Sequence, residues 1–485
     1  MPDEIQPPTI SSSVPPPPTV SLSNKKKIFP KIVLILGILI LAVVLGFVGW
    51  KFFGNKIGLK NKQATLIYWG LFEPPSVMQQ VISDYEKDHP EVKIIYSQQS
   101  LTQYRERLQE RLISAKQPEK KENKEVLNSE TPDIFRIHQS WIPMFSDLLS
   151  EIPGSVYDNT TFEKTFYPSA VESLKLQGKY IGIPLMVDGL SLYCNKDLFE
   201  AKGLSFPQNW SELKIAAQQL TARDSEGKIT TAGAGLGTTV NIDHWSDILG
   251  LMFFQAGVDP ANPGACSQAS DGRDVCPGAD ALQFFANFTT VDRVWDSTLP
   301  TSTFAFAKGN LAMYFGPSWR VFDIEGIKNR LQSNFQYKII PVPQLPMEGE
   351  KKIGWSSYWV ESVSKKSSFQ TEAWEFLKYL SSKDVLQKIY QAQSSLRSFG
   401  EPYPRIDMAD LAKDHPLAGS FISQAPYSRN WYLSSFTSDN GINDKIIEYF
   451  KNAVNEVSQG GDAASALQTA GLGANQILSQ YRVSK

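Results

Sequence analysis

Thr65-Leu-Ile-Tyr-Trp69, followed by Gly70-Leu-Phe-Glu-Pro-Pro75 and a helical run over residues 77–89, decides how this chain begins to fold. The first segment is short and rich in aromatic and β-branched residues, which fit a pleated, half-buried strand. The second is turn-prone. The third has helical spacing, with Val81, Ile82 and Tyr85 on one face. Pro90 ends it, because proline has no N–H to continue the ladder. Residues 92–96 predict a second strand and 101–115 a second helix. Residues 116–131 are polar and charge-dense, as in an exposed loop. Strand and helix alternating in this way predict an α/β protein, a mainly parallel sheet covered by helices. In such sheets ligands sit beyond the carboxyl ends of the strands, so the loops there are the places to search.

The rest of the 485 residues widens this reading. Single cores stop growing near about 250–300 residues, so more than one core is expected. A formal net charge of −2 leaves no basic surplus to neutralise phosphates and argues against nucleic acid as a partner. Three cysteines are too few for a disulfide-built scaffold or a four-cysteine zinc site. Eleven tryptophans and eighteen tyrosines can build cores or flat ligand platforms. Four scattered histidines form no short-spaced metal pair, and no metal or cofactor is expected. There is no Gly-x-Ser-x-Gly elbow and no phosphate loop ending in Gly-Lys-Ser/Thr. Gly233-Ala-Gly-Leu-Gly237 lacks the dinucleotide spacing. The expectation is a protein that is not an enzyme.

Ahead of the α/β pattern lies a different kind of sequence. Residues 32–50 carry no charged side chain, and Phe52 and Phe53 prolong the apolar character. About 20 apolar residues span a bilayer as a helix. The preceding tail is rich in proline and serine, with Pro15 to Pro18 consecutive, and cannot bury enough apolar surface to order itself. The run is longer than a usual cleaved leader, so an uncleaved signal anchor is expected. Lysines flank it equally: Lys25, Lys26, Lys27 and Lys31 before, and Lys51, Lys56, Lys60 and Lys62 after. The positive-inside rule therefore leaves orientation open. Cys266 and Cys276 bracket a polar loop that suits a small disulfide outside the cytosol, two free thiols being the alternative.

A series of motifs then runs through the chain in order. Tyr68-Trp69-Gly70 has Glu73 beyond it, and Tyr85-Glu-Lys-Asp-His-Pro90 and Thr131-Pro-Asp-Ile-Phe135 follow. The most specific block is Gly178-Lys-Tyr-Ile-Gly-Ile-Pro184 with Val187-Asp-Gly-Leu-Ser-Leu-Tyr-Cys-Asn-Lys-Asp-Leu-Phe199. Pro207-Gln-Asn-Trp-Ser-Glu-Leu213, Phe306-Ala-Lys-Gly-Asn-Leu-Ala-Met-Tyr-Phe-Gly-Pro-Ser-Trp319 and Ala373-Trp-Glu-Phe-Leu377 complete it. Over about residues 65–480 this resembles the family 1 extracellular solute-binding proteins, whose best-known type binds maltose and maltodextrins. The resemblance implies a two-lobed, periplasmic-binding-protein-like (type II) clamshell outside the cell, working with ABC transporter permease subunits. Lipid-anchored relatives carry a cysteine after the signal, whereas here none lies between Met1 and Ser191, so the tether is expected to be the helix. Cys194 replaces the second tyrosine of the family's Tyr-Tyr-Asn and reads as a buried thiol on a strand.

The implied organisation is a disordered cytoplasmic tail (1–30), a transmembrane signal anchor (31–53) and a linker (54–63). Lobe one then takes 64–183 and 361–395, and lobe two takes 184–360 and 396–485. Crossings between them are expected near 183–188, 355–361 and 396–404. A sugar offers apolar C–H faces and an equator of hydroxyls, so it needs aromatic platforms and charge-assisted hydrogen bonds. The expected contacts are Trp69, Glu73, His138, Gln139 and Trp141, then Asp188, His244, Trp245, Ser318 and Trp319, and finally Trp355, Tyr358, Arg397 and Trp431. Each has a plainer reading: core packing for a tryptophan, a helix N-terminal charge for Glu73, a satisfied loop histidine for His138, a hinge acceptor for Asp188. Trp210 and Trp374 are assigned to core. The expected function is capture of a small solute, a sugar or oligosaccharide, for an ABC importer. A peptide, polyamine or anion as solute, or a non-transport surface sensor or adhesion module, is the alternative.

Overall fold

The computed structural model describes residues 63–115, 131–345 and 351–483. The expected tail, the signal anchor, nearly all of the linker and most of the loop at 116–131 lie outside the described residues. Among the described residues no helix is long and apolar enough to cross a membrane.

The opening stretch folds as its pattern indicates. Ala64–Gly70 is a strand, Pro75–Asp88 a helix that buries Val77, Met78, Val81, Ile82 and Tyr85, and Val92–Gln98 the next strand. Tyr104–Ser114 is the second helix. The first strand pairs in parallel with Val92–Gln98 on one side and Ile134–His138 on the other. Trp359–Val363 closes the far edge antiparallel to Ile134–His138. Helices Gln370–Leu380 and Lys383–Ser394 pack on this lobe, and Trp374 is fully buried there, its indole N–H donating to Ser150 Oγ at 3.3 Å.

A second sheet gathers Tyr337–Ile340, Ser191–Asn195, Leu311–Gly316, Ile229–Ala234 and Ala222–Arg223 in that order. Here the expectation of a mainly parallel sheet fails. Only Leu311–Gly316 and Ile229–Ala234 run parallel, and the other three pairings are antiparallel. Ser191–Asn195 enters from an extended crossing, without the helix that forces a parallel return. Cys194 is buried on that strand, and burial pushes its thiol pKa up. Trp210 is core, donating from its indole to Gln255 Oε1 at 2.6 Å. Cys266 and Cys276 are disulfide-bonded in an exposed hairpin of this lobe.

The chain passes between the lobes in extended segments that touch one another. Ile183 bridges Glu361, and Gly189 bridges Ser356. Val187 N–H donates to Pro402 O at 3.0 Å, tying in the later passage. Gly354–Trp355 pairs with Ser428–Arg429. Gly189 has a reason to lack a side chain: a Cβ there would run into the Trp355 carbonyl.

Lobe one is pinned by a buried ionic cluster. Arg136 Nε donates to Glu361 Oε1 at 2.6 Å and its Nη1 to Glu73 Oε2 at 2.7 Å, while Tyr68 OH donates to Glu361 Oε1 at 2.9 Å. Burial, then the Glu73 charge, push the Glu361 carboxyl above the usual range, against the opposing pull of Arg136. Two carboxylates stripped of water and sharing one guanidinium leave no slack if the guanidinium is removed. Arg136→Met is expected to lower unfolding free energy by about 3–5 kcal/mol, read from urea denaturation curves of the two chains.

Candidate functional site

Between the lobes, where the crossings meet, lies a cavity of about 410 Å³. That is within the range of small-molecule sites, about 300–1,000 Å³. Phe72 and His138 come from lobe one, as does Trp359, which opens the strand on the edge of that lobe's sheet and not the end of lobe two expected at 360. His244, Trp319, Phe322 and Phe436 come from lobe two. Asp188, Gly189, Trp355 and Ser357 come from the crossings.

Asp188 organises the floor. Its Oδ1 accepts from Ser318 N–H at 3.0 Å and Gly189 N–H at 2.8 Å, and its Oδ2 accepts from Ser318 Oγ at 2.8 Å. Its carbonyl accepts from Ser357 N–H at 2.9 Å and Ser356 Oγ at 3.1 Å. Burial pushes the carboxyl up to about 7, against the pull of the Ser318 and Gly189 donors. Ser318 therefore acts on the cavity through Asp188 and does not line it.

The two histidines are neutral for stated reasons. His138 Nδ1 accepts from Ser140 N–H at 3.3 Å, which leaves Nε2 to carry the proton toward Ser357 Oγ at 3.1 Å. Burial lowers its pKa to about 3. His244 Nε2 accepts from Arg320 Nε at 2.9 Å, so Nδ1 carries the proton toward Ser435 Oγ at 2.9 Å. Burial, then the charge of Arg320, hold His244 below its usual value. Asp247 accepts from the Trp355 indole at 2.8 Å and from Ser435 N–H at 3.1 Å.

The aromatic walls are themselves buttressed. Arg320 lies 4.3 Å from the centroid of Trp319 and 4.5 Å from that of Phe436. Trp359 meets Phe72, His138 and Trp141 edge-on, at 5.3, 5.3 and 5.2 Å.

Of the residues expected from sequence, His138, Asp188, His244, Trp319, Trp355 and Arg397 line this cavity. The others are placed elsewhere. Trp69 is buried in the first strand against Tyr104, and Glu73 is consumed by Arg136. Trp141 is fully buried behind Trp359, stacked on Phe145. Trp245 is buried at the start of its helix, and Tyr358 turns its hydroxyl to Ser173 at 2.7 Å. Gln139 and Trp431 line a different, larger space of about 1060 Å³ that shares no lining residue with the first. Sequence reading missed Phe72, Asp247, Phe322, Asp323, Trp359, Glu401 and Phe436. Phe72 and Trp359 each stand one residue from a named candidate, on the opposite side of the chain. Phe436 has φ +59, a left-handed conformation that no pattern announces.

The sequence profile of the bacterial extracellular solute-binding proteins matches residues 80–401. The chain belongs to that family. It is 24% identical over 272 residues to proteins of Brucella abortus and Brucella suis named only as binding proteins, covering 54% of this chain and 62% of theirs. The match thus spans under two thirds of those relatives. Among solved structures, a cyclo/maltodextrin-binding protein complexed with maltotetraose is 16% identical, with TM-score 0.63 over 87% of this chain and 99% of its own. The sugar-binding protein MalE of Xanthomonas citri gives 17%, 0.62, 86% and 98%. A Thermotoga lettingae ABC transporter solute-binding protein bound with α-D-tagatose gives 19%, 0.59, 86% and 100%. This solute-binding-protein chain shares their two-lobed α/β fold, and its family and neighbours are binding proteins, not enzymes.

The titration of Asp188 has a measurable sign. Its folded pKa, about 7, lies above the unfolded value near ~3.9, so the folded form holds the extra proton between the two. The stability it contributes is present below about pH 4 and is lost as pH rises through 7. Unfolding curves of the wild type minus those of Asp188→Asn should therefore shift against the wild type from pH 4 to pH 7. A flat difference would show that Asp188 does not titrate there.

Proposed function

We propose that this chain is a membrane-tethered, extracytoplasmic solute-binding protein that captures a sugar or short oligosaccharide and delivers it to an ABC importer. The observation that carries the reading is one cavity lined by aromatic rings from both lobes, with carboxylates, imidazoles and an arginine between them. Rings on both sides suit the two C–H faces of a pyranose, and the polar groups suit its hydroxyls. A solute touching both lobes favours the closed form through contacts that the open form lacks. The known ligands of the structural neighbours, maltotetraose and tagatose, support the same class. The tether rests on the uncharged run at 32–50, and delivery to permease subunits rests on family membership.

The proposed contacts are Phe72, His138, Asp188, His244, Trp319, Trp355, Trp359 and Arg397. A thermal-shift screen of the full chain against sugars, polyamines, peptides and anions tests the reading. A sugar at 100 times its dissociation constant should add about 2.7 kcal/mol of stability. Trp319→Ala and Trp359→Ala should each weaken that sugar roughly tenfold, about 1.4 kcal/mol. A melting point raised only by a non-sugar solute would refute the carbohydrate assignment.

A further inference from the structure

The charges around the junction cavity do not balance. Its ionisable lining is Asp188, Asp247, Asp323 and Glu401 against Arg397, with the two neutral histidines. Glu401 accepts from Arg397 at 2.7 Å, and Asp323 accepts from Arg320 at 2.9 Å. Asp247 remains, and with it Asp188, which is shared between its neutral and ionised forms at pH 7; they are 3% and 4% exposed and are held by N–H and O–H donors alone. The nearest imidazole to Asp247, His244 at 3.6 Å, has its free nitrogen occupied by Arg320 and gives no positive charge. Behind Phe72 the cluster of Glu73, Arg136 and Glu361 sets one guanidinium against two carboxylates, so it offers no compensation either. Carboxylates removed from water and left without a cation are compensated most strongly by a charge-assisted donor brought from outside.

The aromatic lining points the same way. Arg320 already covers Trp319 and Phe436, Arg397 covers Phe322, and Arg136 covers Phe72. Among the described residues no cation lies over Trp355 or Trp359; Trp355 is fully buried against Phe254 and Gly250, so the half-buried Trp359 is the one of these two that can receive one. Tryptophan is the side chain whose face attracts a cation best.

We propose that the cleft selects sugars bearing an ammonium group over their neutral counterparts and turns away anionic sugars such as uronates. The ammonium sits against Asp247 and Asp188. This selectivity rests on the sugar reading of the same cavity and sharpens it to a charge class.

The test is calorimetric titration of the full chain at pH 7, in a detergent without a sugar headgroup. The probes are D-glucose, D-glucosamine and D-glucuronate, with cellobiose and the β-1,4-linked glucosamine dimer as a disaccharide pair. Each amine is expected to bind at least about fivefold more tightly than its neutral partner, and the uronate most weakly. The amine-to-neutral affinity ratio should fall toward one in Asp247→Asn and in Asp188→Asn. The ratio is read only in a variant that still binds the neutral sugar, so a fall in it reports the lost charge and not a lost fold. Equal binding of amine and neutral forms, or a uronate as tight as its neutral partner, overturns the selectivity while leaving the sugar reading intact. Binding of spermidine or choline with no sugar overturns the sugar reading itself.

Discussion

Asp188 gives its side chain to one lobe and its backbone to the crossing that leads into the other. The carboxylate accepts from Ser318, the residue before Trp319, and the carbonyl accepts from Ser356 and Ser357, just ahead of Trp359. One buried residue thus sets the relative placement of two aromatic walls that belong to different lobes. The close approach of Gly189 to the Trp355 carbonyl keeps the crossings packed backbone to backbone. Few extended crossings make a hinge, and a hinge allows the walls to close on what lies between them.

Burial explains most of the electrostatics around that point. His138 and His244 are kept neutral by loss of water, and each is fixed in one tautomer by the donor facing it. Neutral imidazoles and carboxylates, each oriented by hydrogen bonds from the protein, form a fixed polar frame, which costs little reorganisation when a solute enters. Arg320 has a mechanical role, since its guanidinium lies against both Trp319 and Phe436, which also meet edge-on at 6.0 Å, and is anchored through His244 and Asp323.

The fold was legible because its signals are local. Strand, turn and helix spacing around Thr65 to Pro90 placed the first elements, and the ordered motifs implied two lobes. The orientation of strands in the second sheet was not legible, because pairing is set by long-range contacts and not by periodicity. The cavity was partly legible. Asp188 and Trp319 stand in motifs, so their neighbourhood could be inferred. Glu73 and Trp141 have suitable chemistry but are claimed by Arg136 and by the back of Trp359, partners distant in sequence. Phe72 and Trp359 were passed over for adjacent residues, because loop and strand-end side chains point where tertiary packing sends them.

The central claim is that a sugar occupies the cavity between the lobes, and tryptophan emission reports on it directly. Trp319, Trp355 and Trp359 line that space. Titration of the full chain with a sugar that binds by calorimetry should change the emission saturably, with the same midpoint. Trp359→Phe should remove part of the change. Calorimetric binding with unaltered emission from all three would place the solute elsewhere and contradict the account.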